Sequence, residues 1–162
     1  MKGVLFLAVA AVLPAPAAAQ RDALGIFFEW GAFREGRPQR CFAIAAPHRS
    51  PRPDDIRPFA SVGSWPGRAV RSQVHFRLSR DKRAESAVLL RIDDRTWQLQ
   101  GGGRDAWAPD ARADAAIVAA MRTGVEMVVE TRSSRGALVR DHYRLRGAAT
   151  AIDAAAIACA RA

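Results

Sequence analysis

Apolar and polar side chains alternate over residues 70–78, with Val70, Ser72, Val74, Phe76 and Leu78 on one side and Arg71, Gln73, His75 and Arg77 on the other. A period of two marks a half-buried strand. Shorter runs of strand character cover residues 26–33, 39–45, 87–92, 96–100, 125–131 and 137–145. Short polar connections of hairpin type join three pairs of them: Glu35-Gly36-Arg37-Pro38, Asp93-Asp94-Arg95 and Ser133-Ser134-Arg135-Gly136.

Two segments change to a helical period. Asp110, after Pro109, is placed to cap a helix on which Ala113, Ile117, Ala120 and Met121 recur up to Gly124. Thr150 with Asp153 three residues on makes a capping-box pattern that opens a last helix to about residue 160, with Ile152, Ala156 and Cys159 on its inward stripe. Residues 47–58 hold four prolines, which cannot supply a ladder of backbone donors, and read as an exposed, mobile loop. Gly63-Ser64-Trp65-Pro66-Gly67 reads as a turn, and Gly101-Gly102-Gly103 as a break before a tryptophan-containing loop. The expected fold is mostly β, an antiparallel β-sandwich or open barrel with one internal helix and one C-terminal helix.

The first residues stand apart from this pattern. Lys2, an apolar run over residues 4–13, and Ala17-Ala18-Ala19 before Gln20 follow the order of a secretory signal peptide cut after Ala19. The apolar run is well short of the about 20 residues a membrane-spanning helix needs, so the chain is not expected to span a membrane. Residues 20–162 then form a single exported domain, periplasmic or secreted. An oxidising compartment favours pairing the only two cysteines, Cys41 and Cys159, although two separately buried thiols are an alternative that the sequence leaves open. The leader holds only Lys2 of the 25 basic residues, so the domain stays strongly basic against its 16 acidic side chains.

Trp30 shortly before Cys41, the run Val88-Leu89-Leu90-Arg91-Ile92-Asp93, and Tyr143-Arg144-Leu145-Arg146-Gly147 leading to Ala151 carry a resemblance. The chain resembles the bacterial invasion-associated locus B family, small periplasmic or surface proteins with a β-rich fold. In that family the late strand runs into a glycine and then an alanine-containing helix, as Leu145, Gly147 and Ala151 do here. Family members usually carry further cysteines in the middle of the domain, whereas this chain has none between Cys41 and Cys159. The resemblance implies an envelope location and a role at the cell surface, and brings no catalytic residues with it.

The chemistry on offer is sparse. The three histidines, His48, His75 and His142, form no H-E-x-x-H or H-x-H pattern, and no C-x-x-C occurs, so neither a metal site nor a cofactor is expected. A small periplasmic hydrolase is the alternative function, and it needs His75 or His142 beside a carboxylate and a hydroxyl. The leading constellation is cationic. Arg71, His75 and Arg77 alternate along one strand as Arg140, His142, Arg144 and Arg146 do along and just past another, and if both strands belong to one sheet they line a basic face. Such a face suits an anionic lipid headgroup, an acidic glycan or an acidic protein, with nucleic acid disfavoured by the export signal. The competing reading is an ordinary solvated face whose charges are offset by Glu126 and Glu130. Trp65, Trp97 and Trp107 read as core residues, with a binding rim as the alternative.

Overall fold

The computed structural model describes residues 21–51 and 57–160. The signal-peptide expectation therefore lies outside the described residues, as does the middle of the proline loop. Among the described residues, ten strands form one antiparallel sheet: β1 (Arg21–Phe27), β2 (Trp30–Gly36), β3 (Gln39–Ala45), β4 (Phe59–Trp65), β5 (Val70–Arg77), β6 (Val88–Ile92), β7 (Arg95–Gly102), β8 (Asp105–Trp107), β9 (Glu126–Arg132) and β10 (Leu138–Arg144). Their spatial order is β1-β2-β3-β4-β5-β8-β7-β6-β9-β10. Every pairing is antiparallel, and the sheet curls into an open barrel rather than a sandwich. Helices α1 (Ala111–Thr123) and α2 (Ala148–Ala160) close its inner side.

The alternation read from β5 holds only from Gln73 on: Val74, Phe76 and Leu78 are buried, while Gln73, His75 and Arg77 are half-buried. Before them a bulge, with Ser72 at φ 51° and Val70 paired to Trp65, breaks the expected row, so Val70 and Ser72 are not on the buried face with Val74. On β6, Val88, Leu90 and Ile92 point inward, and the two-residue turn beyond them places Asp93 at φ 50°, a left-handed conformation aspartate tolerates. The strand expected over 26–33 is two strands. They are split by the turn Phe28-Glu29 with Phe28 at φ 57°, a position no turn-forming residue announces.

The glycines after Gln100 do not end β7. Residues 95–99 pair with β6, and 100–102 pair instead with β8, the segment expected as a loop. The chain passes so closely there that a Cβ on Gly101 would lie 2.9 Å from Val88 Cγ2. Likewise β4 occupies part of the segment read as a turn, and only Pro66–Arg68 turn, as a short 3₁₀ stretch.

Helix α1 starts as expected, with Asp110 Oδ1 accepting from the Ala113 N–H at 2.7 Å. Asp114 Oδ1 accepts from the Val74 N–H at 2.7 Å, tying the helix to β5. Helix α2 begins at Ala148, so Thr150 lies within it and is not its cap. Its inward stripe is Ala148, Ala151, Ile152, Ala155 and Cys159, and Ala156 is exposed. Alanine at those places brings the helix close to β2 and β3, where Cys41 and Cys159 form a disulfide with Cα atoms 5.8 Å apart.

Candidate binding face

The two arginine series belong to one sheet but not to one row. β8, β7, β6 and β9 stand between β5 and β10, so the two series lie on separate halves of the outward face.

On the β10 side, period two turns Val139, Asp141 and Tyr143 inward and Arg140, His142 and Arg144 outward. Arg140 pairs with Glu130 opposite it on β9, and Arg144 Nη1 reaches Glu29 Oε1 at 2.8 Å in the β1–β2 turn. His142 Nδ1 lies 3.3 Å from Glu126 Oε1, and Arg49 Nη2 is within reach of both ring nitrogens, 3.0 Å from Nδ1 and 3.2 Å from Nε2. Arg49 is there because the start of the proline loop pairs with β10: the His48 N–H donates to the His142 carbonyl at 2.9 Å and the His142 N–H to the Arg49 carbonyl at 2.7 Å. The loop expected to be wholly exposed thus covers part of an edge strand. Arg146 lies beyond β10 with its guanidinium 3.8 Å from the Phe28 ring centroid.

On the β5 side, His75 Nε2 contacts Asp105 Oδ1 at 2.8 Å, and Arg77 binds the same carboxylate through Nε and Nη2. The His75 ring stacks on Trp107 with centroids 5.0 Å apart and meets Phe59 edge-on at 5.2 Å. The Ser61 hydroxyl donates to the backbone carbonyl of His75 at 3.4 Å. Arg71 stands apart at the rim of a cavity of about 710 Å³ with Ser64, Ser72 and Cys159. Among the described residues, no group of three His, Cys, Asp or Glu side chains is arranged to hold a metal, and no helix is long and apolar enough to cross a membrane.

The tryptophans divide. Trp30 is fully buried and Trp97 packs half-buried against the core, but Trp65 and Trp107, expected in the core, lie on the outward face. With them are Phe33, Phe42 and Phe59 and the guanidiniums of Arg21, Arg40 and Arg77 stacked near their rings. This aromatic half escaped the sequence reading, although one signal was present: if Cys41 turns inward to a disulfide, alternation sends Phe42 outward.

No family model matches the chain, and no curated protein matches it. Among solved structures, invasion associated protein B from Bartonella henselae superposes with a TM-score of 0.60 at 16% identity, over 85% of this chain and 98% of that one. The resemblance read from the sequence holds at the level of the fold, and the chain is similar to invasion associated protein B in architecture.

Proposed function

We propose that the chain is an exported, non-catalytic envelope domain of the invasion-associated locus B type that binds an anionic envelope component. In this reading residues 1–19 are removed as a leader and Gln20 becomes the first residue. A disulfide between Cys41 and Cys159 suits the oxidising compartment this implies.

The observation that carries the ligand's charge is the cation excess on the β10 side. Arg91, Arg132, Arg140 and Arg144, with Arg49 bridged to the edge, stand on or beside the outward face of β6, β9 and β10 against Glu126, Glu130 and the incoming Glu29. His142 stands in their midst. Ion pairs at an exposed face are weak, so an incoming polyanion can take the guanidiniums from their glutamates. The hydrolase alternative draws on the His75–Asp105 contact, but Asp105 is shared with Arg77 and the Ser61 hydroxyl is engaged elsewhere.

Vesicle co-sedimentation tests the proposal. The parent chain should bind phosphatidylglycerol vesicles or an acidic glycan, and lose that binding as salt shortens screening from about 10 Å at 0.1 M to about 3 Å at 1 M. Arg140→Gln with Arg144→Gln should weaken vesicle binding severalfold. A parent that binds no polyanion at low salt, or a double variant that binds vesicles as tightly, means the face is ordinary solvated surface.

A further inference from the structure

We infer that the aromatic half of the outward face, on β1–β5 and β8, is a platform for an acidic glycan chain. This inference takes its compartment and its ligand's charge from the function proposed above, but assigns a different surface and names the ligand class.

One register row crosses seven strands, from Ile26 through Ile44, Ser61 and His75 to Trp107 and Gln100. At about 4.8 Å per strand it runs about 29 Å along the sheet. Ile26, Gly31 and Ile44 make one end of it apolar, and the other end sets the Trp107 indole among the Ser61 hydroxyl, the His75 imidazole and the Gln100 amide. A pyranose suits such a mixed row, with C–H faces that meet the negative face of an aromatic ring and hydroxyl edges that need hydrogen-bonding groups.

The rings beside this row lie down. A Cβ on Gly31 would be 2.6 Å from the Phe33 ring and one on Gly63 would be 2.9 Å from the Trp65 ring, so each ring covers a glycine and flattens the face. Along the row Ile26 is 68% and Trp107 37% exposed. Rings folded flat onto a sheet do not project as a membrane-inserting wedge would, which favours an extended chain laid across them over a bilayer.

Charge makes the glycan acidic. Glu35 is shared between Arg21 and Arg40, and Asp105 between Arg77 and His75, so three guanidiniums face two carboxylates. Guanidinium forks fit the carboxylate of a uronic acid bidentately.

Calorimetric titration of the full exported chain with polygalacturonate fragments, neutral dextran fragments and phosphatidylglycerol vesicles tests this. Polygalacturonate should bind, in a salt-sensitive way, and dextran at least about tenfold more weakly. Trp107→Ala should lose about tenfold, the order of one aromatic stacking contact, while Trp107→Phe keeps most of the affinity. Arg77→Gln leaves every ring in place and should also weaken binding, which decides the matter should Trp107→Ala lose its β-sheet circular dichroism. Arg140→Gln with Arg144→Gln should leave polygalacturonate binding unchanged while weakening vesicle binding. The inference is overturned if the parent does not bind polygalacturonate, if a folded Trp107→Ala binds it as the parent does, or if the Arg140 and Arg144 variant loses it instead. That last result would leave the proposed function standing and move the glycan to the β10 side. Vesicle binding lost on Trp107→Ala without any glycan binding would assign the aromatic face to a membrane.

Discussion

Asp141 has 0% exposure on the inward face of β10, between Val139 and Tyr143. Its Oδ2 accepts from the Ser79 N–H at 3.0 Å, and the Ser79 hydroxyl is buried beside the carboxylate. Burial pushes its carboxyl above the usual range, against the pull of Ser79, His142 and Arg80, and burial likewise pushes Tyr143 well up with Asp141 beside it. A carboxyl raised in the folded state binds more protons there than in the unfolded chain, so stability falls as pH climbs from the unfolded value of 3.8 through the folded one. Asp141→Asn keeps an acceptor for Ser79 and carries no charge. It should flatten that fall and stabilise the domain at pH 7, measured as urea midpoints between pH 4 and pH 8; an unchanged pH profile would show that Asp141 does not set it. Gly147 supplies a second test at this scale. It has φ +90°, and a Cβ there would lie 2.0 Å from the Phe27 carbonyl oxygen. Gly147→Ala should therefore cost about 2 to 3 kcal/mol of stability, and an unchanged denaturation midpoint would contradict the contact. Both residues were half legible in the sequence: alternation that sends Arg140 and His142 outward must send Asp141 inward, but an acid in a core slot contradicts the polarity pattern by which cores are recognised. Gly147 was visible as the end of a strand, and its approach to Phe27 was not, because nothing local specifies a contact with the first hairpin.

Elements with a strong period and a polar turn were readable, and weak or short ones were not. β5 through β7 match the expected runs within a few residues because most of their inward positions are large and apolar, and β3 is bounded by the polar turn before it. β4 escaped since its inward residues are only Ala60, Val62 and Ser64 and it carries Gly63, while three-residue β8 is too short to show a period. Helix α2 was found but started two residues late, because the Thr150–Asp153 spacing imitates a cap inside a helix that the turn at Gly147 has already begun. Its attachment is the disulfide, which closes a sequence separation of 118 residues between β3 and the helix's last turn. Cys41→Ser should lower stability by about 2 to 5 kcal/mol. The loss should appear first as hydrogen exchange in α2, while the β9–β10 hairpin, which the bridge does not touch, keeps its protection at low denaturant. Equal loss of protection in both would mean the helix and sheet unfold as one unit.

At the scale of the molecule, the separation of the two arginine series is a matter of topology. Hairpin-by-hairpin reasoning gives β1-β2-β3-β4-β5 in order, but after β5 the sheet takes β8, then runs back through β7 and β6 before adding β9 and β10. No local pattern encodes that reversal, which depends on which buried edges fit around α1 and α2. The sheet also stays open, and its two end strands are held across a seam. There the Trp30 indole N–H donates to the Arg144 carbonyl at 2.9 Å, Arg144 reaches Glu29, and Gly147 packs against Phe27. Trp30 is fully buried, so Trp30→Phe retains most of the apolar packing while leaving the Arg144 carbonyl without its donor, a loss of about 1 to 3 kcal/mol. Because the seam joins only the ends of the sheet, the variant should raise amide exchange in β1 and β10 while β3 to β5, bonded on both sides, exchange as in the parent. Uniformly faster exchange across all ten strands would instead mean that the seam stabilises the barrel as a whole and that its opening is global unfolding.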